Sequence, residues 1–134
     1  MKPYVMITRP VAPAAIELLT SVCDILPRVD ISRRRRGDFA LVANCAQALQ
    51  LASPEWIDES LLRGFPRLRV IACTYRLPEE IDVAACTRRG IWVTNVAARW
   101  PGSDAEIEAA RNILDVFGGD TPRGAINEVL QPAA

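Results

Sequence analysis

Two short, β-rich apolar runs, Val70-Ile71-Ala72 and Ile91-Trp92-Val93, flank a helical stretch. Together they make Leu68 to Val96 the segment that most restricts how this chain can fold. The helix is expected to begin near Pro78-Glu79-Glu80 and to stop at Gly90. Proline at the first helical position, acids in the first turn, Arg88-Arg89 in the last and glycine just beyond suit the helix dipole and its unpaired backbone groups. Strand, helix and strand in so few residues form a βαβ unit, the crossover that parallel strands require. The chain should therefore contain a parallel sheet, and after Val96 only a short connector separates it from a last helix.

The remaining elements extend the same alternation. Tyr4 to Ile7 reads as a first strand, followed by a helix whose apolar stripe is Ala15, Leu18, Leu19 and Val22. Cys23 to Leu26 reads as a second strand. Pro27 to Gly37 has Val29 and Ile31 as its large apolar residues and reads as a short solvated helix or loop. The continuous apolar run Phe39 to Ala43 is expected to be a buried strand. Ser53 is expected to cap a helix with Pro54 at its first position and Ile57, Leu61 and Leu62 facing inward. Ser103 and Glu106 have capping-box spacing ahead of a closing helix with the stripe Ile107, Ala110, Ile113, Leu114 and Phe117, ending at Gly118-Gly119. Asp120 to Ala134 reads as mostly irregular.

Five strands alternating with helices predict one α/β domain over residues 1–134, a flavodoxin-like doubly wound five-stranded parallel sheet of order 2-1-3-4-5. Ligands of such sheets sit outside the carboxyl ends of the strands. On this reading those ends are Thr8-Arg9-Pro10, Asn44-Cys45-Ala46, Thr74-Tyr75-Arg76 and Asn95-Val96-Ala97.

Composition narrows the function classes. The 134 residues, half of them hydrophobic, suit one domain with a real core. Sixteen basic residues balance sixteen acidic ones, which leaves no net field to recruit nucleic acid or an anionic membrane. Cys23, Cys45, Cys73 and Cys86 form no CxxC pair and lie in or beside apolar runs, as reduced thiols acting as small hydrophobes. With no histidine and no ligand spacing, no metal site is expected. No signal peptide is visible and no apolar run approaches the ~20 residues of a membrane helix, so a cytoplasmic location is expected.

Arg67-Leu-Arg-Val-Ile-Ala-Cys73, then Ile81-Asp82-Val-Ala-Ala-Cys-Thr-Arg-Arg-Gly90-Ile-Trp-Val-Thr-Asn95-Val, resembles D-2-hydroxyacid dehydrogenases, and among them most the phosphonate (phosphite) dehydrogenases. In that family a nucleotide-binding Rossmann domain is inserted into a flavodoxin-like substrate-binding domain, and the chain then returns to add a last helix. Ala109 to Gly119, with Pro122 and Ala125-Ile-Asn127 behind it, is similar to the returning segment. The resemblance implies that residues 1–96 are the first part of a substrate domain and 104–134 its return. Residues 97–103 would be a short connector at the place of the inserted domain.

Two absences bear on chemistry. Pyrophosphate binding uses a glycine-rich turn at a helix N-terminus, and no GxGxxG occurs here. The family's general acid/base is a histidine paired with glutamate, and this chain has no histidine. The expectation is a substrate-binding-type domain with no bound NAD, no catalytic residue of its own and no turnover as this chain alone. The family also contacts its substrate anion through a glycine-rich loop after the fourth strand, with a lysine there in the phosphite enzymes. Arg76 stands at the lysine position, Leu77 replaces the neighbouring glycine, and Pro78-Glu79-Glu80 follows. Candidate anion contacts are thus Arg76, Tyr75, Thr74, Arg9 and Asn95. The alternative for Arg76 is an exposed arginine paired with Glu79 or Glu80, which would contribute little.

Other readings stay open beside this one. The domain could be a small-anion-binding or regulatory module, or an interaction module that dimerises through the face an inserted domain would cover. Arg33 to Arg36 could contact phosphate, but the neutral total favours a solvated face. Trp56, Trp92 and Trp100 are too far apart in sequence for a stacking platform. Trp92 suits the core, and Trp100 the surface beside the connector.

Overall fold

The computed structural model describes residues 2–28, 31, 37–96 and 102–130. Its elements run β1 (Tyr4–Ile7), α1 (Pro13–Thr20), β2 (Asp24–Ile25), α2 (Gly37–Cys45), β3 (Ala48–Leu51), α3 (Glu59–Leu62), β4 (Val70–Cys73), α4 (Val83–Arg88), β5 (Trp92–Thr94) and α5 (Gly102–Phe117). All four strand pairings are parallel and the order is β2-β1-β3-β4-β5, the flavodoxin-like arrangement expected. The Arg33–Arg36 run, Trp100 and most of the connector lie outside the described residues.

Helices cover both faces, so β3 and β4 are buried along their whole length and β1 from Val5 to Ile7. Leu49, Leu51, Ile71, Cys73 and Val93 join the core containing Phe39 and Ala43 of α2, Leu61 and Leu62 of α3, and Ala85 and Cys86 of α4. Val5, Ala48, Val70, Ala72 and Trp92 face the other core, with Leu19 of α1 and Ala105, Ala109, Ala110, Ile113 and Val116 of α5. Trp92 is buried, as expected. Registry places Ile7, Gln50, Ala72 and Thr94 side by side across the sheet.

Several expected boundaries are corrected. Phe39 to Ala43 is helical, inside α2, and the third strand is Ala48–Leu51. An apolar run without polar alternation fits a buried strand and a buried helix equally, and here a one-sided pattern decides: Phe39 and Ala43 are buried while Ala40 and Leu41 are exposed. Asn44-Cys45-Ala46 consequently leads into the amino end of β3 and is no part of the carboxyl edge. Gln47 follows there, its side chain accepting from the Tyr4 N–H at 3.2 Å. Neither proline begins its helix. Asp58 caps α3 through the Leu61 N–H, and Asp82 caps α4 through the Ala85 N–H. A side-chain acceptor satisfies an open amide that proline cannot, and Ile57 upstream of α3 instead forms a parallel bridge with Ile81. α5 starts at Gly102, which puts Ser103 inside it, and Glu106 accepts from the Ala12 N–H at 3.0 Å in place of a capping box. Its buried face is Ala105, Ala109, Ala110, Ile113 and Val116, so Ile107, Leu114 and Phe117 sit at the margins. In α1, Ala15 and Leu19 are buried, and Val22 lies beyond its end and is exposed.

The segment after α5 is irregular but tightly held. Gly119 adopts φ 85°, a left-handed helix stop, as Gly90 does at φ 73° after α4. Beyond it the chain lies along the outer edge of β5. Asn95 N donates to Gly124 O, Ile126 N donates to Val93 O, and Thr94 bridges Ala125 in antiparallel fashion. Asn127 Oδ1 accepts from Val93 N at 2.9 Å, while its amide donates to Ile91 O and Thr87 Oγ1. An otherwise open sheet edge is thereby closed.

Candidate functional site

With β3 relocated, the carboxyl edge of the sheet consists of Thr8-Arg9 after β1, Ala52-Ser53 after β3, Thr74-Tyr75-Arg76 after β4 and Asn95 after β5. Hydrogen bonds fix these ends to one another. Thr8 Oγ1 accepts from Ala52 N at 3.4 Å, Thr74 N donates to Leu51 O at 3.0 Å, and Arg9 Nε donates to Ser53 Oγ at 3.1 Å. Ser53 thus serves as a partner of Arg9 and not as a helix cap.

The loop after β4 has the most distinctive chemistry. Asn95 Nδ2 donates to Arg76 O at 2.7 Å, tying the loop to the end of β5. The amides of Tyr75, Arg76 and Leu77 make no hydrogen bond to any described residue. Arg76 is exposed and forms no ion pair with a described residue; in particular it pairs with neither Glu79 nor Glu80. Among the described residues no non-glycine has a positive φ, so Leu77, expected from the sequence at the family's glycine position, stands in the loop without backbone strain. Three amides without described partners and an exposed guanidinium on one short loop are groups suited to a small oxyanion.

The candidate side chains do not all face this environment. Tyr75 is half-buried against the core of the α2, α3 and α4 face. Its hydroxyl lies near the Cys73 thiol and the Glu80 carboxylate, and burial, ahead of those neighbours, pushes its pKa upward. Tyr75 offers its backbone to the loop and its ring to the interior. Arg9 and Arg76 stand at strand ends separated by β3, two strand spacings or about 10 Å apart. The buried thiols are poor nucleophiles: burial raises both Cys73 and Cys86 to about 12. Cys45 differs from its expected setting and is exposed at the end of α2.

Behind the edge lie polar groups that the sequence did not single out. Gln50 and Thr94 are fully buried on either side of Ala72. Gln50 Nε2 donates to Glu106 O at 3.2 Å, whereas Gln50 Oε1 and Thr94 Oγ1 have no partner among the described residues. Asn112 of α5 accepts from Gly124 N at 2.9 Å and donates to Asn95 O at 3.4 Å, linking the last helix to the residue that holds the β4 loop. A glutamine inside an apolar run and an asparagine inside an apolar helix face were the available signals.

Comparison with known proteins agrees with this architecture. Residues 5–107 match the family model described as D-isomer specific 2-hydroxyacid dehydrogenase, catalytic domain. The chain is 32% identical over 120 residues to a glyoxylate reductase of Aeropyrum pernix, covering 85% of this chain and 36% of that protein. It is 33% identical over 103 residues to a glyoxylate reductase of Thermococcus kodakarensis, covering 71% of this chain and 28% of that one. The chain therefore spans about a third of the length of the curated relatives it matches. Among solved structures, the PH0520 protein of Pyrococcus horikoshii OT3 superposes with a TM-score of 0.62 at 24% identity, over 72% of this chain and 28% of that one. The 2-hydroxyacid dehydrogenase of Ketogulonicigenium vulgare Y25 gives 0.57 at 22% identity, over 89% and 38%. At such identities these structures speak to the fold alone, and the sequence matches carry the family. The chain belongs to the D-isomer specific 2-hydroxyacid dehydrogenase family and comprises its substrate-binding-type domain.

Proposed function

We propose that this domain binds a small oxyanion, a 2-oxo or 2-hydroxy carboxylate or phosphite, at the loop after β4, and that this chain alone does not turn it over. The observation that carries the reading is the Thr74–Leu77 loop: an exposed Arg76 with no ion pair to a described residue, three amides with no described partner, and Asn95 bonded to the Arg76 carbonyl. Glyoxylate reductases among the relatives make glyoxylate the first ligand to try. Phosphite belongs beside it on the proposed likeness of Arg67 to Val96 to the phosphite enzymes, in which Arg76 would stand at their lysine position. The proposed absence of turnover rests on chemistry that this sequence does not supply. It contains neither GxGxxG nor histidine, and only residues 95–101 separate β5 from α5.

Calorimetric titration with glyoxylate, D-lactate and phosphite should give saturable binding for at least one of them. Arg76→Gln should weaken it at least about tenfold, the worth of one charge-assisted hydrogen bond. Silence across the panel, or binding indifferent to Arg76, would refute the site. Oxidation of NADH or NADPH with glyoxylate above the blank rate would refute the absence of turnover.

A second reading is self-association through the same edge, favoured by the exposure of Trp56 (68%) and Leu77 (60%) in the loops after β3 and β4. Sedimentation equilibrium should then show a dimer that Trp56→Ser dissociates. A monomer at every concentration would end that reading.

A further inference from the structure

A separate hollow lies at the other margin of the sheet. Among the described residues β2 pairs only with Tyr4 and Val5, so β1 continues to Ile7 without a full-length described neighbour on that side. The space left between these strand ends and α1 is a cavity of about 350 Å³, within the range of small-molecule sites. Its walls include Ile7, Ile16, Ile25 and Leu26, and its charged lining groups among the described residues are Arg9 and Arg28, with no carboxylate.

Neither guanidinium forms an ion pair with a described residue. Arg9 uses Nε on Ser53 Oγ and leaves its terminal nitrogens without described partners. The nearby N-terminus of α1 already has an acceptor in Glu106, so the two arginines are what make this hollow positive. Two like charges against an apolar wall, in a chain of zero net charge, form a local bias that an anion relieves. The wall chooses among anions. A bare hydrated ion gains nothing from four large aliphatic side chains, whereas an apolar body removes them and itself from water.

We propose that this hollow is a second ligand site, distinct from the β4 loop, for a small carboxylate with an apolar body. The carboxylate would lie between Arg9 and Arg28, and the body against Ile7, Ile16, Ile25 and Leu26. Arg9, at the end of β1, would then belong to this site and not to the one built on Arg76.

The test is a ¹H–¹⁵N titration of the 134-residue chain with phenylacetate, and with acetate and inorganic phosphate in parallel. Phenylacetate should shift the amides of Val11, Ile16, Ile25, Leu26 and Arg28 saturably, and bind at least about tenfold tighter than acetate or phosphate. Arg28→Gln, an exposed change whose folding circular dichroism can verify, should weaken phenylacetate at least about tenfold. Arg76→Gln should leave it unchanged, which separates this site from the proposed oxyanion loop. No saturable shift, shifts centred on Thr74 to Leu77, phosphate binding as tightly as phenylacetate, or indifference to Arg28→Gln would each overturn the proposal.

Discussion

Replacing Gly124 by alanine tests the clamp that joins α5, β5 and the segment following them. A Cβ on Gly124 would stand 2.4 Å from the carbonyl oxygen of Asn95 and 2.7 Å from Nδ2 of Asn112. Neither neighbour can retreat easily. The first is backbone beside β5, and the second is a fully buried amide already bonded to that same carbonyl. The segment must therefore lift from the sheet. That breaks Asn95 N to Gly124 O, at 3.0 Å, and Gly124 N to Asn112 Oδ1, at 2.9 Å. Two hydrogen bonds at about 1 kcal/mol each, plus about 1–2 kcal/mol for the Asn112 oxygen left buried without a donor, give a loss of about 3–4 kcal/mol. Against the 5–15 kcal/mol typical of a whole domain, that is a large fraction. Urea unfolding followed by circular dichroism should show a much lower midpoint with little change in slope. Gly64→Ala is a suitable control, since its Cβ would meet only Leu61 O, at 3.3 Å. A Gly124→Ala protein within about 0.5 kcal/mol of the parent would refute the reasoning, because only that clash and those two bonds produce the estimate.

Three further outcomes can be checked with the same protein. Thr94→Val should stabilise the fold by about 1 kcal/mol in urea unfolding, because the buried Thr94 hydroxyl has no partner among the described residues to lose; destabilisation would mean that the hydroxyl is satisfied. Under native conditions a thiol reagent should label Cys45 quickly and leave Cys23, Cys73 and Cys86 protected, whereas all four should react in denaturant. Cys73 and Cys86 ionise near 9.0 when exposed and at about 12 when buried in the fold. The folded state then holds more protons through that window, so stability should fall from pH ~9 towards ~12, by up to about 1.4 kcal/mol per pH unit for each thiol. Cys73→Ala and Cys86→Ala proteins should each fall less steeply than the parent, by up to about 1.4 kcal/mol per pH unit for the thiol removed; an identical slope in all three would exclude these thiols.

The sequence alone determined the elements whose signals are local. Tyr4 to Ile7, Val70 to Ala72 and Ile91 to Val93 are runs too short for helices and lie between recognisable stops, and Gly90 and Gly119 do adopt the left-handed conformation that ends α4 and α5. Their alternation with helices was enough for the strand order. The position of Arg76 after β4, and its charge, were equally legible.

Tertiary structure decided what depends on partners distant in the chain. Phe39 to Ala43 could have been strand or helix, and became helix because only one side of it meets the sheet while Ala48–Leu51 takes the place between β1 and β4. The ends of α3 and α4 went to Asp58 and Asp82 because a carboxylate satisfies an open amide and proline has none to offer. Whether Arg76 is paired, whether Tyr75 faces in or out, and whether Arg9 reaches Ser53 are questions of where side chains meet. Periodicity records which residues are buried, whereas these answers depend on which buried or exposed groups the crossovers bring side by side.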